Sequence, residues 1–164
     1  MDKLRVAYIV TAYWREEQDV ITPWLVRVVD GLTQCGVKIC IFTSAYKGQA
    51  SGYIHGVPVC RFRYFIAPYE KLTHECAVPE RLKSNNFYYF LVPFYIIFGI
   101  INSILFAKKY KFDLIHVHWP FPHAVFGYIM QKIIKVPMIF SFHSAELVLS
   151  LIHISEPTRL GMIS

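Results

Sequence analysis

The chain opens with an apolar, β-branched run that is followed by a stretch of helical periodicity. Leu4–Thr11 is hydrophobic at almost every position, as in a strand covered on both faces. After the polar loop Ala12–Val20, the spacing of apolar residues predicts a helix with Thr22 as N-cap and Pro23 at its first position. Gly36 is placed to end this helix. The predicted buried face consists of Ile21, Trp24, Leu25, Val28, Val29, Leu32 and Cys35.

The same alternation continues along the chain. Val37–Thr43 is a second strand, so the first three elements form a βαβ unit with parallel strands. The later strands predicted in this way are Val57–Arg63, Leu114–His118 and Pro137–Phe142, with Gly48–Gly56 as a turn region. A second helix begins at Pro122, and its predicted buried face is Val125, Phe126, Ile129, Met130, Ile133 and Ile134. This order of elements predicts an α/β fold with a doubly wound parallel sheet.

The segment between the third and fourth predicted strands does not follow this pattern. Tyr64–Asn86 is aromatic, contains prolines and reads as irregular chain. Phe87–Ala107 has no charged residue and is long enough to span a membrane. A spanning helix would put the flanking strands on opposite sides of the bilayer. Three interpretations stay open: a helix buried in the domain, a helix that also touches the bilayer surface, and a true span.

Composition narrows the class of protein. Hydrophobic residues make up 55% of the chain, which excludes a disordered tail. The four cysteines have no CxxC spacing, so we expect reduced thiols in a cytoplasmic protein. The net charge of +6 favours an anionic partner. Because no basic run of five residues occurs, we expect no nucleic-acid binding.

Candidate chemistry lies where the predicted strands end. In a doubly wound sheet the ligand crevice is outside the carboxyl ends of the strands. Three polar patches fall there: Tyr13–Asp19 after the first strand, His116, His118, Trp119 and His123 around the end of the fourth, and His143, Ser144 and Glu146 after the fifth. Their convergence at one edge favours a shared site, with His118 and His143 less than about 15 Å apart, a few strand spacings.

His116 and His118 share one face of their strand, because a single residue separates them. Such a pair can bind a metal, which leaves a metal-dependent hydrolase as an alternative function. No nearby cysteine or acidic pair offers further ligands, so we expect no metal. His116 also fits a hydrogen-bonded core histidine, whereas His118 is nearer the strand end and the crevice. His123 lies near a helix N-terminus, which favours its neutral form.

Two stretches carry a resemblance to a known family. DLIHVHWPFPHAVFG followed by VPMIFSFHSAEL resembles the N-terminal domain of glycosyltransferase family 4, of GT-B fold. LTQCGVKICIFTS is similar to the family's L-x-x-x-G-H-x-V-x-V-x-T run. The resemblance covers residues 4–148. It implies a Rossmann-like, acceptor-side domain of an enzyme that transfers a sugar from a nucleotide diphosphate sugar with retention at the anomeric carbon.

The resemblance also implies roles for individual residues. His143 would contact the transferring sugar as the catalytic residue, and no metal or other cofactor is needed. The residues expected to bind substrate are His118, Trp119, Glu146, Glu17 and His123. Two departures stand out: the loop after the first strand lacks the usual glycine pair, and Ser144 replaces the glycine of the FHG motif. We therefore expect the acidic loop to contact hydroxyl groups of the acceptor rather than phosphate.

The last 16 residues differ in character from the rest. LSLIHISEPTR, followed by LGMIS, resembles the translation of a sequencing-library adaptor. We therefore expect a domain at 1–148, a non-native tail at 149–164, and a parent protein whose frame continues past Val148 into a donor-binding domain. The chain without that domain should be inactive.

The sequence also favours a class of acceptor and a place for the reaction. The basic balance and the apolar segment 87–107 favour a glycan or lipid-linked acceptor of the cell envelope, at the inner face of the membrane. The same segment supports a further alternative, a membrane-associated interaction module.

Overall fold

The structure is a computed structural model, and it describes residues 3–17, 19–75 and 78–143. These residues form a six-stranded sheet in the order β3-β4-β2-β1-β5-β6. The strands are β1 Arg5–Ile9, β2 Lys38–Ser44, β3 Gly52–Ile54, β4 Val57–Phe62, β5 Leu114–His118 and β6 Met138–Ser141. The helices are α1 Pro23–Gln34, α2 Val78–Ser84, α3 Phe87–Lys109 and α4 Pro120–Ile134. All pairings in this sheet are parallel except that of β3 with β4.

The sheet is covered on both faces, as in a doubly wound, Rossmann-like fold. Side chains alternate along β1, so Val6 and Tyr8 point to one face and Ala7 and Ile9 to the other. The face of Val6 and Tyr8 packs on α1 through Leu25, Val26 and Val29. The face of Ala7 and Ile9 packs on α3 and α4 through Tyr95, Phe106, Phe126 and Met130. The predicted fold class is confirmed.

Helix α1 begins at the predicted residue but in a different way. Thr22 has left-handed backbone angles (φ 48°, ψ 46°), and its side chain makes no capping hydrogen bond. Its carbonyl oxygen instead accepts a hydrogen bond from the Leu25 amide at 3.0 Å. The predicted buried face is partly wrong: Trp24 and Val28 are more than 40% exposed, whereas Val26 is buried. The helix is therefore rotated so that Trp24 faces the carboxyl edge of the sheet.

Three short elements were absent from the sequence prediction. The predicted turn Gly48–Gly56 contains β3, which forms a hairpin with β4 and pairs Tyr53 with Pro58. The predicted irregular stretch Tyr64–Asn86 contains α2 and a 3-10 turn at Ala67–Tyr69. These elements are stabilised by contacts with neighbouring strands and helices, and their own sequences have no clear periodicity.

Helix α4 carries the sheet-facing side chains close to β5. Phe121 is extended (φ −93°, ψ 122°), so the regular helix starts at Pro122, as predicted. Gly127 lies against β5, where an added Cβ would come within 2.7 Å of Val117 Cγ2. Val125 and Ile133, which were predicted to be buried, are about two-fifths exposed.

Helix α3 contains the uncharged segment 87–107 and extends to Lys109. Within the described residues, it is the one helix that is long and apolar enough to cross a membrane. One side of it packs on the sheet and α4 through Leu91, Tyr95, Gly99 and Phe106. Only a third of its most apolar 18-residue window is buried.

Candidate functional site

His118 and His143 meet at the carboxyl edge of the sheet. His118 is the last residue of β5, and His143 follows the end of the neighbouring strand β6 by two residues. The Nδ1 atom of His118 lies 3.2 Å from Nε2 of His143, and the two rings are nearly parallel. One of these two nitrogens donates a hydrogen bond to the other. The expectation that the two residues lie within about 15 Å is confirmed.

Two indole rings border His143. The ring centroid of Trp119 lies 4.5 Å from that of His143, and the centroid of Trp24 lies 4.9 Å from it. Trp119 has left-handed backbone angles at the start of α4, and its amide donates to the Ser141 carbonyl at 3.2 Å. Trp24 was assigned to the helix core in the sequence prediction. The sequence carried one signal for this position. Thr22-Pro23 marks the start of a helix, so Trp24 lies in the first turn, close to the end of the strands.

A layer of rings lies beneath this surface. The rings of His116 and His118 are tilted against each other with their centroids 4.1 Å apart, and the Tyr8 ring stacks on His118 at 5.0 Å. His116 Nε2 is 2.8 Å from Ser141 Oγ, which agrees with the prediction of a hydrogen-bonded core histidine. His118 is only 3% exposed, so it supports His143 from below rather than facing the crevice openly.

Burial keeps these imidazoles neutral. The pKa of His118 is lowered to about 3, first by burial and then by the neighbouring His116 and His143. The pKa of His116 is lowered in the same direction, mainly by burial. A neutral imidazole can both donate and accept a hydrogen bond. His118 therefore acts on His143 through a hydrogen bond rather than through a charge.

His123 lies inside the domain rather than at its surface. It is 0% exposed, and its Nε2 is 2.9 Å from the Tyr95 hydroxyl in α3. Its Nδ1 is 3.4 Å from Thr11 Oγ1 beyond β1. Burial lowers its pKa to about 4, so its predicted neutral form is confirmed, with burial as the cause. A substrate cannot touch a side chain in this position, so the arrangement makes His123 a link between β1, α3 and α4.

The loop after β1, which contains Glu17, lies over the other half of the sheet. Arg15 binds Asp19 through two hydrogen bonds of 2.7 and 2.8 Å, and this pairing holds the pKa of Asp19 well below its usual range. Gln49 donates to the carbonyl oxygen of Arg15, which fixes the loop near β3 and β4. Glu17 is exposed to solvent. The contacts that hold its loop, with Gln49 and Arg61, lie on the β3–β4 side of the sheet, away from His143.

The chain's family follows from a comparison with known proteins. The sequence model of glycosyltransferase family 4 matches residues 24–161. The chain belongs to glycosyltransferase family 4. The match includes Trp24, His118, Trp119 and His143, so the paired strand ends and both indoles lie within the family region. No curated protein matches the chain.

The family 4 domain also contains a buried arginine that the sequence prediction missed. Arg61 lies at the end of β4, is 8% exposed, and donates through Nη2 to the Trp14 carbonyl oxygen. Its Nη1 has no hydrogen-bond partner among the described residues. Burial lowers its pKa to about 10. In the sequence it stands in an alternating strand pattern, which gives no sign of burial.

Two residues of the predicted strand-end patches and the metal question complete the comparison with the sequence prediction. Ser144 and Glu146 lie outside the described residues. In the part of the glycosyltransferase domain that the structure describes, no three His, Cys, Asp or Glu side chains are grouped to hold a metal ion. The neighbouring His116 and His118 therefore have no third ligand there, and the metal-dependent hydrolase gains no support.

Proposed function

We propose that this glycosyltransferase domain is the acceptor-side half of a retaining enzyme that uses a nucleotide diphosphate sugar as donor. The acceptor is a glycan or a lipid-linked glycan of the cell envelope, and the reaction takes place in the cytoplasm. The observation that carries the proposal is the His118–His143 pair at the sheet edge, bordered by Trp24 and Trp119. Sugar sites combine a few fixed polar groups with aromatic walls in this way.

His143 is the residue that we propose to contact the transferring sugar. Its Nε2 is held by His118, which leaves Nδ1 as the ring nitrogen for a sugar hydroxyl. Trp119 and Trp24 offer indole faces for the apolar face of a sugar ring. Because burial keeps His118 beneath it neutral, the ring of His143 is held by a hydrogen bond, and the indoles add stacking surface for the sugar.

We propose that groups outside this domain stabilise the negative charge of the departing diphosphate. The bond from the anomeric carbon to the diphosphate breaks, the acceptor oxygen forms its bond on the same face, and the acceptor hydroxyl proton passes to an oxygen of the departing diphosphate. The departing diphosphate needs positive groups or helix N-termini. The buried His118 at this edge is neutral, so a second, donor-binding domain would provide these groups. The 164-residue chain alone would then be inactive.

The test uses this domain joined to a donor-binding domain of the kind that we propose, in a protein that we call the full-length parent. The full-length parent should release nucleoside diphosphate from one of a panel of nucleotide sugars only when an acceptor is present. The anomeric proton coupling of the product, measured by NMR, should match that of the donor. A product of inverted configuration would contradict the retaining mechanism. Turnover by the isolated 164-residue chain would contradict the need for a second domain.

A further inference from the structure

Helix α3 has a large apolar face that the described structure leaves about half exposed. Its members recur at helical spacing and are each 38–58% exposed. They are Phe87, Phe90, Ile97, Phe98, Ile101 and Leu105, and we call them the outer face of α3. The opposite side, with Leu91, Tyr95 and Gly99, is buried in the core. The helix therefore has apolar residues on both sides, which a helix facing water does not normally have.

The apolar surface continues beyond the helix at its N-terminal end. The Tyr69 ring lies 5.4 Å from Phe87, and the Phe65 ring contacts both Phe87 and Phe90. Ile66, between these residues in sequence, is 63% exposed. Contiguous exposed apolar patches of this kind mark contact surfaces.

Positive charge borders the other end. Lys108 and Lys109 form the last turn of α3, and Lys111 follows at once. Lys108 and Lys111 are exposed, and α3 contains no acidic residue. The surface thus combines aromatic and aliphatic side chains with a purely basic end. This complements a bilayer with anionic headgroups, which attracts basic side chains next to an inserted apolar face.

We propose that the outer face of α3 docks on an anionic lipid surface, with the helix axis parallel to the membrane. The apolar side chains would enter the headgroup boundary, and the three lysines would contact lipid phosphates. Tyrosine suits this depth because it has an apolar ring and a polar tip, and Tyr69, which contacts Phe87 of the outer face, is 51% exposed.

The packing of α3 excludes a spanning orientation for the same helix. Its inner side holds Tyr95 against His123 at 2.9 Å and against Phe62 of β4. At Gly99 the approach to α4 is so close that an added Cβ would lie 2.3 Å from Phe126 Cζ. Moving α3 into the bilayer interior would remove these contacts and expose the Phe62–Phe126 part of the core. The helix can lie on a membrane without any such loss.

Docking through α3 would also orient the candidate site. The N-terminal half of α3 lies at the carboxyl edge of the sheet, where Tyr95 reaches His123 and Phe65 follows β4. His143 lies at the same edge, above the buried His118. This last step rests on the proposed function: the crevice would then lie beside the bilayer, where a lipid-linked acceptor is presented.

Vesicle flotation of the 164-residue chain tests the docking without any sugar donor, so its result is independent of the proposed function. Vesicles with about one-third phosphatidylglycerol in phosphatidylcholine are compared with phosphatidylcholine alone, at low salt and in 0.5 M NaCl. We expect flotation with the anionic vesicles at low salt, weaker binding at high salt, and release from the vesicles by alkaline carbonate. Failure to float with anionic vesicles at low salt would overturn the proposal, as would resistance to carbonate, which indicates a span.

Matched variants locate the contact. Phe90→Ser, Ile101→Ser and Leu105→Ser combined should reduce vesicle binding at least tenfold, whereas Val28→Ser, Tyr53→Ser and Tyr128→Ser combined should leave it within twofold. The second set removes similarly exposed apolar side chains from other elements. Equal binding of the two sets would overturn the proposal. One further outcome would overturn it: the wild type is a dimer in gel filtration, the outer-face variant is a monomer, and that variant still floats with the vesicles.

Two charge-reversal variants keep the proposal testable if the variant with three apolar substitutions fails to fold. Lys108→Glu with Lys111→Glu should reduce binding to anionic vesicles at least tenfold, because each lysine near such a surface contributes about fivefold. Arg27→Glu with Lys38→Glu makes the same change in net charge away from α3 and should have much less effect. Equal loss in both pairs would show that only net charge matters and would contradict docking through α3.

Discussion

His118 Nδ1 lies 3.2 Å from His143 Nε2, although 25 residues separate the two in the sequence. They meet because β5 and β6 are adjacent parallel strands that pair His118 with Ser141. Ser141 is two residues before His143, so the chain beyond β6 only has to turn back over the end of β5. The hydrogen bond fixes the ring of His143 beside Trp24 and Trp119, and its partner His118 is neutral.

The buried histidines predict how stability depends on pH. The pKa values of His74 and His118 are lowered to about 3 and that of His123 to about 4, mainly by burial. In the unfolded chain these groups titrate near 6.5, so below that pH the unfolded state binds protons that the folded state refuses. Stability is therefore complete above about pH 7 and falls as the pH drops toward 4.

Urea unfolding of the 164-residue chain at pH 7.5 and pH 5.5 measures this effect. Each of the three histidines contributes up to about 1.4 kcal/mol over that interval, so the free energy of unfolding should drop by up to about 4 kcal/mol. His123→Gln should remove about a third of the pH-dependent drop, whatever its effect at pH 7.5. A free energy of unfolding that stays constant between the two pH values would contradict the burial of these side chains.

Trp24 is predicted to bind substrate rather than to stabilise the helix. Its ring contacts His143 and Trp119 while it stays 41% exposed. In the full-length parent, Trp24→Ala should raise KM about fivefold, because an aromatic contact of this kind contributes about 1 kcal/mol. Trp24→Phe should restore most of the binding. Val28→Ala, one turn further along α1 and similarly exposed, is the control; an equal rise in KM for Val28→Ala would refute the assignment.

A glycine substitution in α4, with a glycine substitution in α1 as its control, tests the packing of α4 on the sheet. At Gly127 an added Cβ would lie 2.7 Å from Val117 Cγ2 and 2.9 Å from Met138 Sδ. Gly127→Ala should therefore lower the free energy of unfolding by about 1–3 kcal/mol, despite the better helix propensity of alanine. Gly31 in α1 has no atom within 4 Å of the added Cβ, so Gly31→Ala should raise stability by about 0.5–1 kcal/mol. Similar effects at both positions, measured by chemical denaturation, would contradict the packing described for α4.

The sequence could predict elements whose burial leaves a strong local pattern. β5 has its predicted bounds because a β-branched run stands between Asp113 and the Trp119-Pro120 pair. The meeting of His118 with His143 was also predictable, since the carboxyl ends of parallel strands share an edge. Both inferences use only periodicity and the geometry of parallel sheets.

Other parts of the site depend on contacts that no local pattern encodes. β3 exists because three residues of a glycine-bearing turn pair with β4. The rotation of α1 that exposes Trp24 follows from packing on Tyr8 and Ile41, and the burial of His123 follows from the position of α3. The buried state of Arg61 likewise depends on the loop after β1, which folds back over β4.

The central claim is that His143 serves sugar transfer at the edge of β5 and β6. Its most direct test is kcat/KM of the full-length parent, its His143→Ala variant and its His55→Ala variant, assayed with the same donor and acceptor. His55 is an imidazole paired with Asp30 at 2.8 Å outside the His118–His143 cluster, so it controls for loss of a histidine as such. We expect His143→Ala to lower kcat/KM by on the order of a hundredfold or more and His55→Ala to stay within twofold of wild type. A His143→Ala variant as active as wild type would contradict the claim.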